Sequence, residues 1–234
     1  MHKLDMPRWA TDVALDRRGK AHIYENLNPR KTALVVVDLQ NGFMDEEVAI
    51  AYVPTSVEIV PNVNKLAAAV RRTGGKVVWI KMTFDEATVG AWSNYFDMLT
   101  PAKRARAIAN MAPGTRGHDL YPTLDVKPED EIVNKTRFSA FVQGSSGLPE
   151  LLRAQGCDTV LITGTVTNVC CESSARDAMM LNFKTIMVSD GNAARTDAEH
   201  NATLASFYSV FGDVMDTDHL IRCLDANAHA RVAA

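Results

Sequence analysis

Short apolar runs alternate with stretches of helical period along this chain of 234 residues, and that alternation confines it to a βαβ architecture. Strand-length runs fall at 33–37, 76–80, 131–134, 159–162 and 184–188, with a short last one from Val214. Between them, 57–72 shows helical spacing through Val60, Val63, Leu66 and Val70 and stops at Gly74-Gly75. Helices are likewise expected over 148–154, 170–181, 198–210 and 219–224. Strands that read as unbroken apolar runs are buried on both faces. The fold class that follows is α/β, a three-layer α-β-α sandwich with a central, mainly parallel Rossmann-like sheet. One hydrophobic core is evident, giving a mixed, polar N-terminal arm at 1–30 and a single domain at 31–234. The loose stretch 82–126, rich in Gly, Pro and aromatics, is too long for a plain connection and reads as a lid or substrate-binding region.

Composition narrows the functional classes. A net charge of −3 with scattered Lys and Arg argues against nucleic-acid binding, and Lys103-Arg-Ala-Arg106 reads as a solvated helix face. No apolar run approaches the ~20 residues of a membrane span, and no signal-peptide core is visible. Four cysteines (Cys157, Cys170, Cys171, Cys223) are too few for a disulfide framework here, which points to a reduced, cytoplasmic protein.

Ligands of open parallel sheets bind at the carboxyl ends of the strands. Those ends carry Asp38 after the first strand, Lys135 after the third, and the Cys170 helix after the fourth. An acid, a lysine and a cysteine together suit nucleophilic acyl transfer: thiolate attack, proton shuttling by the carboxylate, and charge stabilisation by the ammonium. A cysteine opening a helix also faces unpaired N–H groups and the positive dipole end. With Lys135 nearby, these features predict a Cys170 thiol that titrates below its ordinary value. Cys170 and Cys171 differ by about 100° around a helix, so only one of them can face the cleft.

Three motifs make a resemblance specific: Val-Val-Val-Asp38-Leu-Gln40-Asn41-Gly-Phe43, then Asn134-Lys135-Thr-Arg-Phe138-Ser-Ala-Phe141, then Gly164-Thr-Val-Thr167-Asn-Val-Cys170 with Ser174-Ala-Arg-Asp177-Ala178. The chain resembles the isochorismatase-like cysteine hydrolase superfamily, which includes nicotinamidases, N-carbamoylsarcosine amidases and ureidoacrylate amidohydrolases. The resemblance implies Cys170 as nucleophile, Asp38 as general base and acid, and Lys135 as the cation between them. It also implies a cis peptide at Thr165–Val166, with the Val166 and Cys170 N–H groups as an oxyanion hole, and a core position for Cys171. Phe84-Asp85-Glu86 and Thr167-Asn-Val-Cys170 resemble segments of the ureidoacrylate amidohydrolases.

The expected substrate-binding residues are Phe43, Phe84, Glu86, Trp92, Phe138 and Thr167, with Tyr95 and Phe141 as further candidate walls. Gln40 and Asn41 read alternatively as binders of loop backbone. The metal-dependent relatives carry an Asp-x-His-x-x-His cluster after the second strand, and here that stretch reads Lys81-Met-Thr-Phe84-Asp85-Glu86. The six histidines show no ligand spacing and read as surface or capping residues, so no metal and no cofactor is expected. The expected activity is hydrolysis of an amide or ureido C–N bond of a small molecule through a thioester. The alternatives are a non-amide, vinyl-ether-type hydrolase and a catalytically idle binding or assembly member. Aromatic-rich 91–96 and the arm read as apolar surface, which together with the resemblance predicts a homodimer or homotetramer.

Overall fold

The computed structural model describes residues 1–232. In chain order the elements are α1 (Arg8–Arg18), β1 (Thr32–Val37), α2 (Asn41–Met44), α3 (Thr55–Glu58), α4 (Val60–Arg72), β2 (Lys76–Met82), α5 (Glu86–Ala91), α6 (Ser93–Asp97) and α7 (Pro101–Met111). They continue with β3 (Glu131–Lys135), α8 (Leu148–Ala154), β4 (Thr159–Thr165), α9 (Glu172–Met180), β5 (Lys184–Ala193), α10 (Asp197–Val210), β6 (Asp213–Met215) and α11 (Thr217–Val232). The six strands form one sheet in the order β3-β2-β1-β4-β5-β6, parallel at every pairing.

That order follows from the connections. A right-handed crossover through α4 carries the chain from β1 to β2 and leaves α4 on one face. The return from β3 to β4 reverses the direction of travel, so α9 and α10 cover the other face, and α11 comes back to pack on α4. α4 forms because Val60, Val63, Leu66, Ala67 and Val70 repeat at helical spacing and are all buried. Gly74, at φ 84°, ends it. β1 is buried along its whole length, as its unbroken apolar run requires.

Boundaries differ from the expected ones where the pattern was polar. The arm is no loose cover: it contains α1, which packs on α10 through buried Ala10 and Ala14. Arg18 of α1 donates to the carbonyls of Tyr208 and Gly212. The loose stretch after β2 holds three short helices, α5, α6 and α7. The expected aromatic surface at 91–96 turns inward: Phe96 is fully buried, and Trp92 and Tyr95 stack with ring centres 4.4 Å apart.

One glycine fixes the sheet at its functional edge. Gly164 pairs in register with Val37, the last residue of β1. At φ 119° it adopts a backbone that side-chain-bearing residues rarely take, and a Cβ there would lie 2.0 Å from the Val37 carbonyl oxygen. Gly164→Ala is therefore expected to destabilise the protein by ~3 kcal/mol or more, or to prevent folding, as read by urea denaturation. Gly90→Ala in α5, where the added Cβ meets nothing within 4 Å, should be neutral or slightly stabilising in the same assay.

Candidate active site

The strand order places a switch point between β1 and β4, from which the sheet grows in both directions. Asp38 leaves β1 there in a left-handed conformation, φ 55°, unusual for any residue but glycine. The turn is held by the Asp38 N–H on the Ile80 carbonyl and the Gln40 N–H on the Asp38 carbonyl. Gln40 then clamps the neighbouring strand end. Its amide donates to the carbonyls of Met82 and His118 and accepts the Met82 N–H. Asn41 donates to the Arg116 carbonyl, so both side chains bind loop backbone.

Lys135 ends β3, two strands from Asp38, and pairs in register with Met82 of β2. Its long side chain crosses the end of β2, touching the Met82 sulfur at 3.8 Å, and brings Nζ to 2.8 Å from Asp38 Oδ2. Both side chains are 0% exposed. Lys135 also donates to the Arg137 carbonyl at 3.0 Å. The Lys135 ammonium is the dominant partner of the Asp38 carboxylate, with the Cys170 thiol also close enough to act on it.

On the other side of the switch point, β4 runs into the cis peptide Thr165–Val166 and then a π-helical turn over Thr167–Cys171. Cys170 thus lies in the first turn of a helical segment, as expected, but that turn starts at Thr167 and is π-helical, running directly into α9 at Glu172. In the wide turn the Val166 carbonyl accepts from both the Val169 and the Cys171 N–H groups. Cys170 and Val166 line a cavity of about 210 Å³, while Cys171 is fully buried with its sulfur 3.9 Å from the Thr163 carbonyl. All four cysteines are free.

The electrostatics overturn one sequence expectation. The Cys170 thiol is pushed up, not down: burial raises it most, Lys135 opposes, and the Asp38 carboxylate adds to the rise. Burial also raises the Asp38 carboxyl against the pull of Lys135. Burial pulls the Lys135 ammonium down, but Asp38 and Cys170 more than offset this, so its pKa is raised. Cations near the sulfur are legible in the sequence, whereas the exclusion of water from it is not. The resting trio is thus a buried ion pair beside a neutral thiol, titrating as a unit.

Of the expected substrate residues, Phe43 and Phe138 line the cavity together with Met82, Tyr95 and Leu99. The other four lie outside its lining. Phe84 is buried behind Tyr95 and Phe96, with ring centres 5.8 and 5.2 Å away. Trp92 stacks on the outer side of Tyr95 and Phe138, under the Arg137 guanidinium. Glu86 is exposed in the first turn of α5, which Asp85 caps by accepting the Thr88 N–H. Thr167 points away, its hydroxyl 3.0 Å from His200 Nδ1. Phe141 packs against Phe183 in the core.

Several residues escaped the sequence reading. Lys103 and Arg195 line the cavity, and neither pairs with a carboxylate among the described residues. Lys103 belongs to the cluster read as a solvated face. Its neighbour Arg106 is also engaged, donating to the carbonyls of Glu47 and Ala49. Arg195 follows the end of β5, a strand-end position that offered the only signal. Asn168 lines the cavity with a buried, unpartnered Oδ1. The histidines include two buried ones, His118 against the Thr83 hydroxyl and His200 against Thr167. Burial lowers both to about 4, so they are neutral near pH 7.

Asp38→Asn removes the carboxylate that raises the Cys170 thiol and leaves Lys135, which lowers it. Iodoacetamide alkylation of Cys170 measured against pH should therefore move to lower pH in Asp38→Asn. An unchanged or higher midpoint would show that the carboxylate does not act on the sulfur.

Comparison with known proteins places the fold. Residues 32–219 match the isochorismatase domain. The chain is 29% identical over 211 residues to the ureidoacrylate amidohydrolase RutB of Serratia proteamaculans, covering 85% of this chain and 84% of that one. A cysteine hydrolase from Pseudomonas syringae pv. phaseolicola superposes with a TM-score of 0.77 at 28% identity, covering 86% of this chain and 96% of the other. N-carbamoylsarcosine amidase from Thermoplasma acidophilum follows at 0.62 and 26%, covering 80% and 97%. The switch-point site thus sits within a domain match that spans most of the chain: the protein belongs to the isochorismatase family of hydrolases.

Proposed function

We propose that the protein is a cysteine amidohydrolase acting on an amide or ureido C–N bond of a small anionic molecule. The observation that carries this reading is the Asp38–Lys135 ion pair, sealed from water and set beside the Cys170 thiol at the cavity. The names of the relatives, an amidohydrolase and an amidase, support the same bond class. Asp38 takes the Cys170 proton as the sulfur attacks the carbonyl carbon. The oxyanion is received by the Val166 and Cys170 N–H groups, donors of a kind that typically contribute ~3 kcal/mol each. Asp38 returns the proton to the nitrogen, the C–N bond breaks, and an acyl thioester remains on Cys170. Water, deprotonated by Asp38, then releases the acid and restores the thiol. Lys135 keeps Asp38 anionic at the start of each half-reaction.

The walls fit such a substrate. Phe43, Met82, Tyr95, Leu99 and Phe138 give the cavity apolar walls. Lys103 and Arg195 supply positive charge at the rim for an anionic group. The described lining contains one thiol and neither a histidine nor a carboxylate, a poor donor set for a metal within the cavity. Four free cysteines suit the reducing cytoplasm, and among the described residues no helix is long and apolar enough to cross a membrane.

Cys170→Ala should abolish release of ammonia or amine from a panel of amides and ureido acids, a loss of at least about 10⁴-fold, while Cys171→Ala keeps most activity. Wild-type turnover should survive EDTA. Mass spectrometry of a slow substrate should find the acyl group on Cys170. Turnover without any adduct would favour the vinyl-ether-type alternative, and absence of turnover with an unreactive thiol would favour the idle binding module.

Self-association remains part of the proposal, on surfaces other than the inward-turned aromatic segment. Trp9, Val13 and Leu15 of α1, and Met179, Met180 and Val210, are exposed apolar side chains. Light scattering at micromolar concentration should give a dimer or tetramer, and a monomer would refute this.

A further inference from the structure

A second cluster of reactive side chains lies away from the cavity, where the N-terminal segment meets α11. His219 and Cys223 stand four residues apart on that helix, a spacing that stacks side chains on one face. Glu25, from the segment before β1, reaches the same place, with Oε1 2.8 Å from His219 Nε2. One donor atom each from Glu25, His219 and Cys223 lies within 4.8 Å of the others. The next turn of the helix fixes the loop: Asn227 Nδ2 donates to the Glu25 carbonyl at 2.8 Å and to the Cys223 carbonyl at 2.7 Å. His22 stands edge-on to the His219 ring at 4.8 Å, held in turn by the buried Asp213. None of these residues lines the catalytic cavity.

From this arrangement we infer that Glu25, His219 and Cys223 form a binding site for a zinc-like divalent transition-metal ion. The donor set carries the choice of metal. One imidazole nitrogen, one sulfur and one carboxylate oxygen suit a borderline-soft ion and offer too few oxygens for calcium or magnesium. Tetrahedral zinc with these donors sets neighbouring ligand atoms roughly 3.3–3.7 Å apart, inside the separation found here. The hydrogen-bonded contact between His219 and Glu25 opens slightly as the ion replaces the shared proton. Cys223 enters as thiolate, and its proton leaves to solvent. Solvent takes the fourth position, which exposed Glu25 leaves accessible. Such an ion would staple the N-terminal segment to the last helix, taking no part in hydrolysis. The i,i+4 pairing was hidden in the sequence because it joins a histidine to a cysteine, and its third ligand lies 194 residues from His219.

The test uses the full chain, stripped with EDTA and titrated with Co²⁺. One equivalent per chain should bind, with a thiolate-to-cobalt charge-transfer band in the near ultraviolet that Zn²⁺ bleaches by competition. Cys223→Ser should lose the band. Glu25→Gln, a change at an exposed side chain, should weaken binding roughly tenfold or more. Zn²⁺ should raise the melting temperature of the wild type and leave that of Cys223→Ser unmoved, with hydrolytic activity the same in both. Absence of the band, its persistence in Cys223→Ser, or equal binding by Glu25→Gln would each overturn the assignment.

Discussion

Everything at the catalytic edge depends on β1 and β4 lying side by side and ending together. Their register, Val37 against Gly164, delivers Asp38 and the Val166–Cys170 turn to one side of the switch point. Any residue larger than glycine at 164 would wedge the two strand ends apart. The left-handed Asp38 and the cis peptide at Thr165–Val166 lie directly past that contact, on opposite strands. A left-handed aspartate is a conformation that an isolated peptide avoids, and it persists here because the surrounding sheet determines it. Lys135 needs no such irregularity. It ends an ordinary strand and relies on its length to cross β2.

The cost of that placement is electrostatic. A carboxylate and an ammonium removed from water lose solvation worth several kcal/mol each; the neighbouring charges more than offset this for Lys135 but not for Asp38. The same exclusion of water keeps the Cys170 proton on sulfur in the resting state. A preformed thiolate is therefore not the source of reactivity in the mechanism proposed. Proton transfer to Asp38 and attack on the substrate belong to one step, in which a raised carboxyl pKa makes Asp38 a better acceptor. Reading the sulfur as activated by a helix dipole led to the opposite expectation, because the dipole argument assumes an exposed terminus. The burial of the Cys170 sulfur within the π-helical turn removes that condition.

The sequence was most informative where the period was cleanest. The central strands and the helix at Val60–Arg72 could be read directly, since burial on both faces or on one stripe leaves few alternatives, whereas β3, at the sheet edge, leaves Ile132 exposed. The trio Asp38, Lys135 and Cys170 was also legible, because parallel strands bring their carboxyl ends to one edge whatever the loops do. The cavity walls were not. Phe84, Trp92 and Glu86 share a short stretch with Tyr95, yet only Tyr95 faces the cavity. Which aromatic turns inward is decided by the packing of α5 and α6 and of the aromatic rings on one another, and those two helices are too short to carry a readable period. Lys103 and Arg195 were missed for a related reason: an exposed cation has the same signature whether it faces solvent or a cavity mouth.

This division has a chemical logic. In the mechanism proposed, the groups that move protons are set by backbone register and are sealed, so their geometry tolerates little change. The charged groups at the cavity rim come from α7 and from the segment after β5, each fixed by contacts of its own. Arg106 ties α7 to the carbonyls of Glu47 and Ala49, close to the cavity residues Ile50 and Ala51. His2 brackets the Arg195 segment, its Nε2 accepting the Ala194 N–H and its Nδ1 lying 2.7 Å from the Asp197 carboxylate. Its ring also stacks at 4.5 Å on His200, which holds Thr167 three residues before Cys170. The N-terminal segment, polar and without period in the sequence, thereby buttresses one wall of the cavity and the turn that carries the thiol. Substrate preference can then change through these outer supports while the acid, the lysine and the sulfur stay where the sheet puts them.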